Sequence, residues 1–199
     1  MFVLGLTGSL GMGKSTTAGF FVELGVPVHD ADAAVHRLYK DEAVPLVEAA
    51  FPGVTAGGEV DREKLARRVL SDPAAIKKLE AIVHPLVRAA EERFLADAES
   101  KNAPVAVLDI PLLFETGGDR RCDAVVVVSA PDEVQRTRIF ERPGMTEQKF
   151  ASIAANQMPD SEKRKRADFI VDTSKGFDTA RAQVREILAR IATMPRRRQ

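Results

Sequence analysis

The chain has 199 residues, 45% of them hydrophobic and 29% charged, enough for one core domain with modest insertions and a real apolar core. Its 29 Lys and Arg residues balance 29 Asp and Glu residues, so it lacks the basic excess expected of a protein whose main partner is nucleic acid. The single cysteine, Cys122, excludes an intramolecular disulfide and reads as a small, buried residue.

The N-terminus runs straight into Phe2–Leu6, with no basic region and no long apolar region after it, so no signal peptide is expected. No stretch approaches the roughly 20 apolar residues that span a bilayer. A cytoplasmic protein without a membrane partner is the expectation. Phe2–Leu6, Val26–His29, Val105–Ile110, Ala124–Ser129 and Phe169–Val171 are short runs rich in Val, Ile and Leu without alternation. Such runs predict parallel strands covered by helices on both faces. Helical patterns lie between them, first at Ser15–Leu24 and last around Val184, Ile187, Leu188 and Ile191, with Asp178 as the expected cap. Strands alternating with helices predict an α/β, doubly wound parallel five-stranded sheet.

Two stretches depart from the alternation. Between the second and third strands no strand pattern stands out, and helical spacing dominates. Asp72-Pro73 looks like a cap followed by Pro at the first helical position, and His84-Pro85 reads as the end of one helix and the start of another. A crossover this long predicts a helical, substrate-binding insertion over 33–103. A second, polar insertion over 142–166 predicts a lid. The core is then 1–32, 104–141 and 167–199, with Arg196–Arg198 as a disordered tail.

Gly8-Ser9-Leu10-Gly11-Met12-Gly13-Lys14-Ser15 fits the phosphate-loop pattern Gly-x-x-x-x-Gly-Lys-Ser in full, between a predicted strand and a predicted helix. Glycines let successive N–H groups point inward at phosphates, and the helix adds its positive end. Gly8, Gly11, Met12, Gly13, Lys14, Ser15 and Thr16 are the expected nucleotide contacts. Lys14 reaches the phosphates and Ser15 offers a hydroxyl to Mg²⁺, so ATP and Mg²⁺ are the implied cofactors. Asp109, at the end of a strand, is either a Mg²⁺ ligand or an ordinary cap.

Asp30 and Asp32 close the second strand on the side where open α/β sheets bind ligands, pointing to opposite faces, so only one of the two is expected to enter the site, and either alone could instead be a turn-former or helix cap. Arg138 and Arg142, four apart on one helix, suit a lid that closes over transferring phosphates. The run Lys163–Arg166 is either a solvated face or part of that lid. His29 and His36 read as packing or surface residues, because no Cys/His cluster accompanies them. A GTP-hydrolysing switch would need Asn-Lys-x-Asp and Asp-x-x-Gly. Neither occurs, and a small-molecule kinase is the reading that stands.

The residues Leu6–Ser15, Asp30-Ala31-Asp32, His84-Pro85-Leu86, Asp109-Ile110-Pro111-Leu112-Leu113-Phe114-Glu115 and Ala167–Asp172 together resemble the dephospho-CoA kinase family, in order and from residue 1 to about 190. The resemblance implies ATP-dependent phosphorylation of the 3′-hydroxyl of dephospho-CoA, the last step of coenzyme A synthesis. It implies Asp32 as the catalytic carboxylate beside Lys14, and Arg138 as the lid arginine. It further implies dephospho-CoA contacts from Asp32, His84 and Leu112, nucleotide contacts that include Arg142, and metal contacts at Ser15 and Asp109. The expected partner is the small-molecule substrate, and a monomer or weak homo-oligomer is expected. His36 and Ile153 stand where many members carry Arg, with Gln157 retained. Arg37, Arg142 or the Lys163–Arg166 run are the candidate replacements.

Overall fold

The computed structural model describes residues 1–197, so Arg198, the last residue of the basic tail, lies outside the described residues. β1 (Phe2–Thr7) leads through the glycine loop to α1 (Lys14–Glu23) and β2 (Val28–Asp30). The chain continues through α2 (Ala31–Leu38), α3 (Val44–Ala50), β3 (Thr55–Ala56), β4 (Glu59–Val60), α4 (Arg62–Val69) and α5 (Pro73–Ser100). It then forms β5 (Val105–Asp109), β6 (Ala124–Ser129), α6 (Asp132–Phe140), α7 (Glu147–Ala154), α8 (Asp160–Arg166), β7 (Phe169–Asp172) and α9 (Phe177–Ile191).

The main sheet has the order β2-β5-β1-β6-β7. β1 pairs in parallel with β5 and β6, placing Leu6 opposite both Asp109 and Val126, and β6 pairs in parallel with β7. Every residue of β1, β5 and β6 is buried, which explains why these strands read as unbroken apolar runs. Because β1 has a neighbour on each side, its carboxyl end is the crevice where the strand order reverses, the ligand position of open α/β sheets.

The described chain divides into two compact units, one of Met1–Val28 with the segment from Ala98 onward, the other of His29–Asp97. In the first, α1 and α9 supply Phe20, Phe21, Ala180, Val184, Ile187 and Ile191 to a core shared with the strands. Asp178 does not cap α9: Gly176 holds that position, and Asp178 is exposed in the first turn, paired with Arg181 at 2.8 Å. The tail also departs from expectation. The Arg197 N–H donates to Asp123 Oδ1 at 3.0 Å and its guanidinium meets Asp168 at 2.7 Å, contacts with carboxylates far away in sequence.

The second unit packs Leu38, Val47, Phe51, Val54, Leu65 and Val69 around one apolar centre. It holds a feature that apolar periodicity does not announce, the antiparallel pair β3–β4, with Thr55 opposite Val60. Its signal is Gly57-Gly58: both have positive φ, 60° and 83°, the backbone of a tight hairpin turn. Pro85 does not divide the helices either. α5 runs unbroken from Pro73 to Ser100, opened as expected by Asp72, whose carboxylate accepts the Ala74 N–H at 2.8 Å. Ile76, Leu79, Ile82, Leu86 and Val87 continue the apolar face past the proline, while Pro85 and Ala81 are exposed. The helix bond that Pro85 removes therefore lies on the exposed side, and packing on the other face holds the helix together.

His29 is buried at 5% exposure against the Phe94 ring, and its Nε2 has no hydrogen-bond partner. Burial pushes its pKa below the ordinary 6.5; Arg37 pushes the same way, and Glu91 and Asp30 oppose. Between the lowered folded value and 6.5 the unfolded chain binds more protons, so this contribution to stability is full above pH 6.5 and is lost as pH falls below it. The urea midpoint should drop as pH falls below the ordinary histidine value of 6.5, and His29→Phe should flatten that dependence. A variant with the wild-type slope would remove His29 as its source.

Candidate functional site

β1 ends at Thr7, and the glycine loop carries the chain from its buried end to the start of α1. Gly13 has φ 92°, and a Cβ there would stand 3.2 Å from Thr173, so the turn into the helix requires glycine. Gly8 lies against the Val128 carbonyl, and Gly11 against Ile139. The peptide of Leu10 is held from both sides: its N–H donates to Gln157 Oε1 at 3.2 Å, and its carbonyl accepts from Gln135 Nε2 at 2.7 Å. Met12 anchors the loop. Its side chain is 1% exposed, its sulfur accepts the Ala130 N–H, and its carbonyl accepts the Thr173 hydroxyl at 2.8 Å. The Met12 N–H is itself used inside the loop, donating to the Ser9 carbonyl at 3.1 Å.

Lys14, Ser15 and Thr16 open α1, so helix geometry leaves their N–H groups without intrahelical acceptors, at the positive end of the helix. Ser15 and Thr16 are exposed. The Lys14 ammonium stands 2.5 Å from Asp109 Oδ1, and Asp109 is only 3% exposed at the end of β5. The chain beyond Asp109 is fastened to β1, since the Ile110 N–H donates to the Leu6 carbonyl and the Thr7 hydroxyl donates to the Pro111 carbonyl at 3.0 Å. Leu112 follows, 36% exposed.

Arg138 is half-buried near the end of α6 and grips one residue twice, donating to the Thr173 hydroxyl and to the Thr173 carbonyl, both at 2.8 Å. Arg142 lies beyond the helix, which ends at Phe140, so the expected four-residue spacing on one helix does not hold. Both arginines nonetheless line one groove of about 340 Å³, together with Gly11, Gly13, Thr16 and Phe177. A wider cleft of about 890 Å³ opens on the Ser9 side, bordered by Gln135, Phe150, Gln157 and Arg164.

The run Lys163–Arg166 is not a uniformly solvated face. Lys163 is fully buried, with its ammonium 3.0 Å from Glu115 and donating to the Pro111 carbonyl at 3.2 Å. It is therefore no free replacement for a missing arginine. Arg164 donates to the Ser129 hydroxyl at 3.4 Å, and Arg166 lies over the Phe114 ring.

In the second unit the two aspartates differ in position and in partners. Asp30 ends β2 and caps α2, accepting the Ala33 N–H at 2.9 Å. Asp32 lies in the first turn of the helix, exposed, and not on the strand as expected. One helical turn on, His36 accepts a hydrogen bond at 2.8 Å from Arg62, a cation that sequence reasoning did not single out. Its signal was weak, one charged residue at the start of a charged helix. His84 is exposed on α5, and Arg37 is exposed on α2.

A glycine loop between the central strand of a parallel sheet and a helix, with Lys14 resting on a buried carboxylate, defines a P-loop protein that handles nucleoside triphosphate phosphates. A family model described as dephospho-CoA kinase matches residues 2–179, and the chain belongs to the dephospho-CoA kinase family. It is similar to a dephospho-CoA kinase from Rhodopseudomonas palustris, 65% identical over the whole of both chains, and to one from Bradyrhizobium diazoefficiens at 64%. Among solved structures, a Thermus thermophilus protein aligns with a TM-score of 0.82 at 37% identity, covering 96% of this chain and 97% of that one. A dephospho-CoA kinase from Campylobacter jejuni aligns at 0.66 and 25% identity, covering 95% and 96%. The fold is also shared with a shikimate kinase from Acinetobacter baumannii, at a TM-score of 0.53. Among the described residues no helix is long and apolar enough to cross a membrane.

Proposed function

We propose that the chain transfers the γ-phosphoryl group of ATP to the 3′-hydroxyl of dephospho-CoA, giving coenzyme A and ADP. The observation that carries the reading is the Lys14 ammonium held at the head of α1 by the buried Asp109, within a chain that belongs to this family. Phosphoryl transfer involves little covalent chemistry for the protein, so its work is positioning and charge stabilisation. The loop Gly8–Gly13 and the N–H groups of Lys14, Ser15 and Thr16 cradle the phosphates, and Lys14 neutralises charge on them. The groove of Arg138 and Arg142 receives the rest of the nucleotide. Asp32 orients the ribose hydroxyl or accepts its proton. His84 and Leu112 contact the acceptor.

Mg²⁺ suits this donor set. The exposed Ser15 hydroxyl and the Asp109 carboxylate are hard oxygen ligands, and such sites need only one or two from the protein because phosphate oxygens and water complete the shell. When bound, the ion would neutralise negative charge on the phosphates. Residues 33–103 serve as the acceptor-binding insertion and 142–166 as the lid, in a cytoplasmic enzyme, a monomer or weak homo-oligomer whose partners include neither nucleic acid nor membrane. The test is a coupled ADP-release assay with dephospho-CoA, AMP, CMP and shikimate side by side. Dephospho-CoA should be preferred; a preference for any other acceptor would displace the reading.

Arg138 gives a second check. Its double contact with Thr173 stores it beside Gly13 until phosphates compete for the guanidinium. Arg138→Ala should therefore depress kcat far more than it raises KM for ATP, because the contact is made mainly in the transition state. Arg166→Ala, which loses only a stack on Phe114, should do little. Equal, small effects from the two would contradict a catalytic Arg138.

A further inference from the structure

Lys163 is a buried charge that the proposed chemistry does not use. Its side chain has no exposed surface, and a lysine so placed gives up its hydration, which a methionine of similar volume would not have to do. What it obtains is two oxygens, Glu115 Oε1 at 3.0 Å and the Pro111 carbonyl at 3.2 Å.

Both oxygens belong to the segment that leaves β5 directly after Asp109. The Pro111 carbonyl also accepts the Thr7 hydroxyl, and Thr7 immediately precedes the glycine loop. The same Glu115 oxygen accepts the Met158 N–H at 2.7 Å, so one carboxylate holds both ends of the stretch from Met158 to Lys163. Next to it, Gln157 holds the loop peptide at Leu10. Residues 157–163 are thus bonded to the glycine loop at one end and to the exit of the Asp109 strand at the other.

We propose that Lys163 is a positioning residue for phosphoryl transfer: by fixing the Pro111 carbonyl it sets Asp109, two residues earlier, against Lys14. The inference rests on the phosphotransferase reading above, and it predicts that the contact to Pro111, not the ion pair to Glu115, matters for rate. Glu115→Gln removes the pair and leaves Lys163 able to donate to the Pro111 carbonyl. Lys163→Met removes both.

The experiment compares Lys163→Met, Glu115→Gln and the double variant in the full chain, by steady-state kinetics and by urea unfolding. Lys163→Met should lower kcat about 10- to 100-fold through displacement of the site, with KM for ATP within about threefold of wild type. Its urea midpoint should also fall, because Glu115 is left without its cation. Glu115→Gln should keep kcat within about threefold. In the double variant no uncompensated charge remains, so the midpoint should recover while kcat stays low. Recovery of kcat together with the midpoint would show a purely structural ion pair and overturn the proposal, as would a Lys163→Met enzyme as fast as wild type. Should wild type itself fail on dephospho-CoA, that failure belongs to the functional reading, and the same comparison is made with the acceptor that it does use.

Discussion

Asp32→Asn is expected to lower kcat by about 10²–10⁴, the usual contribution of a general base, with dephospho-CoA binding nearly unchanged. A ribose hydroxyl is a poor nucleophile at neutral pH, and a carboxylate in hydrogen-bond reach must orient it or take its proton. The local structure frees Asp32 for that work. Asp30 already caps α2, leaving Asp32 exposed in the first turn of the helix. Asparagine keeps the size and one hydrogen-bond acceptor but cannot accept the proton. Asp30→Asn should be milder, since asparagine is itself a good helix cap. Calorimetry for binding and steady-state kinetics for turnover decide the matter. Normal binding with turnover within a few-fold of wild type would falsify the assignment and leave Asp109 as the next candidate.

The second large effect is expected at Lys14. Lys14→Ala should cost at least about 10² in kcat, because a fixed cation at a water-poor site stabilises charge on the transferring group far better than solvent does. The fold should survive. Phe20 and Phe21 hold α1 in the core, and the loop keeps its anchors at Met12 and Leu10. Asp109 loses the ammonium now 2.5 Å away, so a modest drop in thermal midpoint is expected beside the kinetic loss. A variant with wild-type circular dichroism and nearly full activity would refute the phosphate-loop mechanism.

What could be read from the sequence was what local pattern encodes. β1, β5 and β6 showed as apolar runs because every residue of these strands is buried, and the glycine loop showed because its backbone demands particular residues at fixed spacing. Boundaries moved by a residue or two, as at β2, which starts at Val28 and runs on to Asp30. The failures share a cause: tertiary contacts decided them. Pro85 stays inside α5 because the apolar face opposite it is packed, and Lys163 is buried because Glu115 and Pro111, far away in sequence, meet it. Arg197 is tied down by Asp123 and Asp168 in the same way. The hairpin β3–β4 is the exception, since Gly57-Gly58 announced it and the two-residue strands were too short to support the signal.

At the site, the structure brings Lys14 of the loop against Asp109 and Arg138 against Thr173, and the sequence showed neither pairing. Nor did it show that Arg62 bonds His36. Each is a side-chain pairing between elements distant in sequence, and spacing along the chain carries no trace of it.

The central claim is transfer of a phosphoryl group from ATP to the 3′-hydroxyl of dephospho-CoA, and the most direct measurement is phosphorus NMR of the reaction mixture. With ATP, Mg²⁺ and dephospho-CoA, the purified chain should produce ADP and a new 3′-phosphomonoester resonance in equal amounts, identical to that of authentic coenzyme A. ADP and inorganic phosphate without the phosphomonoester, or a phosphate on another hydroxyl, would contradict it.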